Sequence, residues 1–219
     1  NTGLNYELDA IAACVIGAVV SEALFDLATH RKQTVGDFSA VVTGLLLGLN
    51  LSSSVPVWQC VVGSAFAIII VKCLFGGLGH NFANPAISGR VFMLLAFSEV
   101  AGGAMPAVVE LEASATPLAL ISAGSEQLPS LMDMFLGLRG GAVGESCILA
   151  LLIGYAYLCA RRVIKWYVPA AFVGTVFVLS LVSAGSFVTA LYSVMAGGVF
   201  LGAIFMATDY VTTPINNTG

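Results

Sequence analysis

The chain has 219 residues, of which 58% are hydrophobic and only 9% are charged, against roughly 25% charged in an ordinary soluble domain. A soluble fold of this size leaves too much surface wet to hide that apolar content. This excludes a soluble globular domain and a disordered chain, and 8 Lys+Arg against 12 Asp+Glu leave no basic footprint for nucleic acid. The expected class is all-α, a polytopic bundle of transmembrane helices in a lipid bilayer, with residues 1–219 forming one membrane domain. There is no initiator Met, and the run Thr212-Thr213-Pro214-Ile215-Asn216-Asn217-Thr218-Gly219 is loop-like, so the chain reads as a window on a longer one.

A spanning helix needs about 20 mostly apolar residues. In chain order, the segments 8–27, 55–75, 144–160, 168–183 and 188–207 qualify, the third being short at its core. Two further apolar stretches, 39–51 and 84–97, have 13 and 14 residues. Each adjoins breakers: Ser52-Ser53-Ser54-Val55-Pro56 after the first, and Gly76-Gly77-Leu78-Gly79 before the second. Such short, interrupted segments read as half-helices. Irregular backbone at membrane depth survives only where protein or a cavity covers it, and half-helices commonly border a binding site.

Basic residues mark cytoplasmic ends. Arg31 and Lys32 follow the first span, Lys72 ends the second, and Arg161, Arg162 and Lys165 follow the third. The segment 98–133 carries Glu99, Glu110, Glu112, Glu126 and Asp133 without Lys or Arg, and is expected outside. The two assignments agree when both half-helix regions cross. An internal repeat is also expected. Asp37 and Glu145 each stand just before an apolar helix. Each unit then ends in a broken segment, Asn81-Phe82-Ala83-Asn84-Pro85 in one and 207–214 in the other. With opposite crossings these would be inverted repeats.

Several polar residues need a reason. Asn81 and Asn84 sit in a broken membrane segment, where an unmet amide costs a few kcal/mol. Capping of the following helix, with Pro85 at its first position, is one account of them. Arg90 lies farther along the same half-helix, where a charge is costly and a functional candidate, unless it snorkels to the interface. Glu22, Asp37, Glu145 and Asp209 stand within or beside apolar runs. Carboxylates there suit Na⁺ or H⁺, whereas for Asp37 and Glu145 the helix dipole offers a capping role. Cys14, Cys60, Cys73, Cys147 and Cys159 form no CxxC pair and read as small buried hydrophobes. His30 and His80 are isolated and indicate no metal or haem. Trp58, Tyr155, Tyr157, Trp166 and Tyr167 lie near helix ends, as in an interfacial aromatic belt.

The runs Asp37-Phe38-Ser39-Ala40-Val41-Val42-Thr43-Gly44-Leu45, Gly76 to Ala86 with Ser88-Gly89-Arg90, Gly144-Glu145-Ser146, and 205–214 occur in one order over nearly the whole chain. With Ser114-Ala115-Thr116-Pro117-Leu118 they resemble the RnfD family of Rnf ion-translocating electron-transport complexes. That family is similar to the NqrB component of the sodium-pumping NADH:quinone reductase. The resemblance implies FMN joined through its phosphate to a threonine hydroxyl, here Thr116, preceded by Ser114 and Ala115. Many relatives carry an acid earlier in that motif, for which this chain offers Glu112 in an uncertain register. The resemblance also implies a second, non-covalent flavin (riboflavin in relatives) near Asn81 and Asn84, with Thr43 and Gly44 on the other half-helix as candidates to face it; the Arg90 guanidinium, for its part, suits either an acid partner or flavin phosphate.

The implied role is an electron-passing subunit in a bacterial or archaeal plasma membrane. Its partners are the other Rnf components (the A, B, C, E and G subunits), within a complex that couples ferredoxin oxidation and NAD⁺ reduction to Na⁺ or H⁺ export. The chain shows no Rossmann fingerprint and no Cys-ligand cluster, so NAD and ferredoxin are expected on other subunits. The rival reading is a flavin-free channel or transporter, a design that also uses inverted repeats and half-helices. The acidic outer segment containing Thr116 is the feature that a plain pore does not need.

Overall fold

The computed structural model describes residues 2–51, 55–97, 130–137, 144, 147–196 and 198–212, with side chains from residue 8 onward. Every regular element among the described residues is helical. Contacts group the chain into two compact units, residues 1–103 with 210–219, and residues 104–209.

Unit 1 is built on α1, Thr2–Ala28. At 1.5 Å per residue its 27 residues extend about 40 Å, enough to cross a bilayer core. The helix is mostly apolar, and its faces differ in side-chain size. Ile16, Val20, Leu24 and Leu27, spaced by four, four and three, are exposed. Ala10, Ala13, Cys14, Ala18 and Ser21 are buried. Large side chains turned outward and small ones inward fit a helix in lipid, where association depends on close backbone approach rather than on hiding apolar surface from water.

A 3₁₀ turn, Val35–Asp37, leads into α2, Ser39–Leu49. α2 has 11 residues, about 17 Å, and so is the expected half-helix. Its Gly44 and Gly48 are four apart and meet α1 directly. A Cβ on Gly44 would stand 2.6 Å from the Cys14 carbonyl oxygen, and one on Gly48 2.9 Å from Ile11 Cα. Only glycine permits that approach.

α3, Val57–Ala65, continues without a break into a π-helical stretch, Phe66–Cys73. The wider turn buries Val71, Lys72 and Cys73 consecutively, which an ordinary helical face does not do. The loop that follows holds Gly76, Gly77 and Gly79 at φ 122°, 93° and 90°. It delivers the chain to α4, Pro85–Ala96, the second half-helix, of 12 residues. Asn84 caps it by accepting from the backbone N–H groups of Ala86 and Ile87, and Pro85 fills the first position, where its missing N–H costs nothing. Phe92 of α4 stacks on Phe66, with centroids 4.2 Å apart.

Unit 2 starts with α5, Leu131–Leu136, which Ser130 caps through the Asp133 backbone N–H. α6, Ile148–Ala160, and α7, Tyr167–Ala184, follow. The expected fifth span differs from expectation. It is divided into α8, Phe187–Met195, and α9, Val199–Leu201, which continues as a π-helical stretch to Met206. The two parts are bent by 64°. The reason is local: Gly197-Gly198 lies at the break, and each glycine in a helix interior costs up to about 1 kcal/mol relative to alanine. By length and composition, α1 and α7 are long and apolar enough to cross a membrane, and the bent pair would make a third. Each unit thus contains one π-helical stretch among its described residues, Phe66–Cys73 in unit 1 and Gly202–Met206 in unit 2.

Candidate functional site

Glu22 is fully buried on α1, and an ion pair joins it to Lys72 of the π-helical stretch. Lys72 Nζ donates to Glu22 Oε1 at 2.5 Å and also to Ser39 Oγ. The Ser39 hydroxyl donates onward to Asp37 Oδ1, which also accepts the Ser39 backbone N–H at 2.8 Å. On the other side, Thr34 Oγ1 lies 2.8 Å from Glu22 Oε1 and 2.9 Å from Asp26 Oδ2. The Thr34 backbone N–H donates to the same Asp26 oxygen at 2.9 Å. Asp26 is buried, while Thr34 and Asp37 are exposed. A connected polar chain therefore runs from solvent-facing turns to a buried ion pair and back.

The local sequence explains the placement. Glu22 and Asp26 are four apart, so they share one face of α1. The 3₁₀ turn folds Thr34 and Asp37 back over the end of that helix. Ser39, the first residue of α2, uses its side chain on the preceding acid rather than in its own helix. Lys72 arrives from 50 residues away in sequence, where the π-helical stretch buries it. Arg31 closes the end of this stretch, donating from Nη1 to the Cys73 carbonyl at 3.2 Å.

Burial opposes ionisation of Asp37, but the Ser39 hydroxyl and backbone N–H, together with the Lys72 charge, outweigh it and hold the carboxyl below its ordinary value. A buried pair such as Glu22–Lys72 gains little net stability as a pair. Removing either partner is costly, because it leaves an uncompensated charge.

Of the acids singled out in the sequence, Glu22 and Asp37 are brought into one cluster. Asp209 is half-buried at the end of unit 2. Glu145 lies outside the described residues, as do Ser114, Ala115 and Thr116. Lys72, taken in the sequence as a cytoplasmic end marker, is instead 2% exposed inside unit 1. Sequence reasoning also missed Asp26, Thr34 and Ser39. The one available signal for Asp26 was its four-residue spacing from Glu22.

Three of the second group of candidates make local bonds. Asn84 accepts from two backbone N–H groups as a cap, and Asn81 Nδ2 donates to the Ala83 carbonyl at 2.9 Å. Thr43 Oγ1 donates to the Ser39 carbonyl at 2.9 Å, and Arg90 is half-buried on α4. α4 packs beside α2, with Gly89 close to Leu47, so these side chains belong to neighbouring helices. Among the described residues no group of three or more His, Cys, Asp or Glu is arranged to hold a metal ion.

Comparison with known proteins gives a consistent picture. A family model for the NQR2, RnfD, RnfE family matches residues 2–219. The chain is 43% identical to the D subunit of the Na⁺-translocating ferredoxin:NAD⁺ oxidoreductase complex of Acetobacterium woodii, over 98% of this chain and 68% of that protein. It is 34% identical to the D subunit of the proton-translocating ferredoxin:NAD⁺ oxidoreductase complex of Clostridium ljungdahlii, over 98% of this chain and 70% of that protein. The B subunit of the Na⁺-translocating NADH-quinone reductase of Azotobacter vinelandii is 36% identical, with 99% of this chain and 57% of that protein covered.

Proposed function

The chain belongs to the NQR2, RnfD, RnfE family, whose matched relatives are subunits of ion-translocating oxidoreductase complexes. From that premise we propose that it is a flavin-carrying, electron-passing subunit of an Rnf-type complex. In this reading the complex couples ferredoxin and NAD redox chemistry to Na⁺ or H⁺ movement across a bacterial or archaeal plasma membrane. The A, B, C, E and G subunits are its partners, and NAD and ferredoxin bind to them. The observation that carries the reading is the 43% identity to the Acetobacterium woodii relative over 98% of the chain.

FMN is proposed as a phosphoester on Thr116, with Ser114 and Ala115 completing the attachment motif and the loop facing outward. When bound, the flavin supplies one- and two-electron transfer, while the protein supplies position and electrostatics. Asn81, Asn84, Arg90 and Thr43 are the donor set proposed for a second, non-covalent riboflavin. Three of them already carry helix and turn bonds, so ligand contact would compete with those bonds and no step is routed through that group.

Glu22 and Asp37 are the residues best placed for ion handling, because exposed turns connect to a buried carboxylate there. Asp209 and Glu145 are proposed as further points on the ion path. Covalent flavin is tested by separating the purified subunit on a denaturing gel and viewing its fluorescence. The expected result is a fluorescent wild-type band and a dark Thr116→Ala band. Fluorescence that survives the substitution removes Thr116 from this role.

A further inference from the structure

We propose that unit 2 binds an anionic phospholipid, with one acyl chain in its apolar cavity and the phosphate on Arg161, Arg162 and Lys165. The cavity is partly open and has a volume of about 530 Å³, within the roughly 300–1,000 Å³ of common small-ligand sites. α6 lines it with Ile148, Leu152 and Tyr155, and α7 with Pro169, Val173 and Phe177. Each set is spaced by three or four residues, so each is one helix face turned to the same space. Gly174 lies on the same wall, and a Cβ there would meet nothing within 4 Å.

The walls select the kind of occupant. Every lining side chain is apolar except Tyr155, and the Tyr155 hydroxyl donates its hydrogen to the Trp166 carbonyl at 2.6 Å. A ring bearing carbonyl and N–H groups would leave its hydrogen bonds to water behind and find no replacement donor on these side chains, which is costly. A hydrocarbon chain loses no such bonds and gains contact atoms along its length. The depth also fits. Residues 169–177 of α7 extend about 12 Å, close to the roughly 15 Å of hydrocarbon in one leaflet.

The charge lies at the matching end. Tyr155, bonded to Trp166, and Pro169, in the first turn of α7, place one end of the cavity beside the α6–α7 turn. That turn carries Arg161, Arg162 and Lys165, all exposed. They are the only charged residues in the stretch 146–208. Trp166 and Tyr167 suit headgroup depth, and Lys165 Nζ lies 5.8 Å from the Tyr167 ring centre. Basic residues at a recess between membrane helices attract anionic headgroups, and guanidinium forks match phosphate oxygens. A zwitterionic lipid has the same chains, but its own ammonium opposes the three cations. The inference stands whether or not Thr116 carries FMN.

The test uses the purified whole complex in phosphatidylcholine vesicles that contain a trace of phospholipid with a photoreactive diazirine in one acyl chain. The probe is either phosphatidylglycerol or phosphatidylcholine, and adducts are mapped by peptide mass spectrometry. The expected adducts fall on residues 148–155 and 169–177, with the phosphatidylglycerol probe favoured about fivefold or more. Gly174→Leu fills the cavity and removes these adducts. Arg161→Gln, Arg162→Gln and Lys165→Gln together bring the two probes level, whereas Arg161→Lys with Arg162→Lys keeps the preference. Equal labelling of the wild type by both probes overturns the proposal. So does the absence of adducts on those residues, as when a helix of another subunit fills the cavity. If Gly174→Leu fails to assemble, saturation decides: added unlabelled phosphatidylglycerol must remove the wild-type adducts, and adducts that persist refute the site.

Discussion

Every buried polar or charged residue among the described ones, from Ser21 to Asn81, belongs to unit 1. Unit 2 contains a partly open apolar cavity of about 530 Å³ walled by residues such as Phe135, Ile148, Leu152, Pro169 and Phe177. Tyr155 is the polar exception on that wall, and its hydroxyl donates to the Trp166 carbonyl at 2.6 Å. The two units are similar in composition and contain similar π-helical stretches, yet they are held together differently. In unit 1 glycines let backbones touch and a bonded charge network ties α1, the turn, α2 and the π-helical stretch together. Unit 2 relies on bulky side chains that leave space between helices. Tight backbone contact and buried charge occur together in unit 1, where Thr34 and Ser39 bond the Glu22–Lys72 pair and close packing holds it in place.

The largest way to break this contrast is Lys72→Met. It leaves Glu22 buried without its ammonium, and breaking such a pair costs about 3–5 kcal/mol. The expected outcome is a marked fall in the melting temperature of the purified complex. Adding Glu22→Gln should restore a large part of it, because the uncompensated Glu22 charge is then gone. A melting temperature unaffected by Lys72→Met contradicts the network.

The second test makes the same substitution in both units. Gly44→Ala forces a Cβ to 2.6 Å from the Cys14 carbonyl oxygen, and such overpacking costs about 1–3 kcal/mol. Gly174→Ala on α7 meets nothing within 4 Å. It should stabilise by up to about 1 kcal/mol through helix propensity alone. Thermal unfolding should move in opposite directions for the two, and equal shifts would erase the distinction between the units.

A smaller effect is expected for Asn84→Ala. It removes the cap that accepts from the N–H groups of Ala86 and Ile87, at about 1 kcal/mol. Faster hydrogen exchange confined to the first turn of α4 is the readout.

The smallest effect concerns pH. The Asp37 carboxyl lies below its ordinary value of 3.8, so its contribution is present above that value and is lost as pH falls through the lower folded one. Ser39→Ala removes the hydroxyl bond and should raise the Asp37 titration toward 3.8. The melting temperature should then begin to fall at a higher pH during acidification than in the wild type.

Much of the helix plan was legible in the sequence. The half-helices were readable because their signals are local: Asn84-Pro85 is both a cap and a start, and the glycines before it end the preceding helix. The break at Gly197-Gly198 was equally local, but the long apolar run around it favoured a continuous span. The cluster was readable only in part. Glu22 and Asp37 stood out because acids in apolar runs need a reason, whereas Lys72 sat where a membrane-boundary lysine would sit.

Composition by itself determined the class of this protein, since 58% hydrophobic and 9% charged residues leave no soluble fold open. Hydrophobic run lengths and breakers determined where helices stop, because those rules act over a few residues. Tertiary structure alone decided which charges meet. Lys72 and Glu22 are 50 residues apart, and their contact depends on the π-helical turn and on α1 lying against α2 at Gly44 and Gly48. No local rule carries such information, because a buried ion pair is fixed by the packing of whole helices.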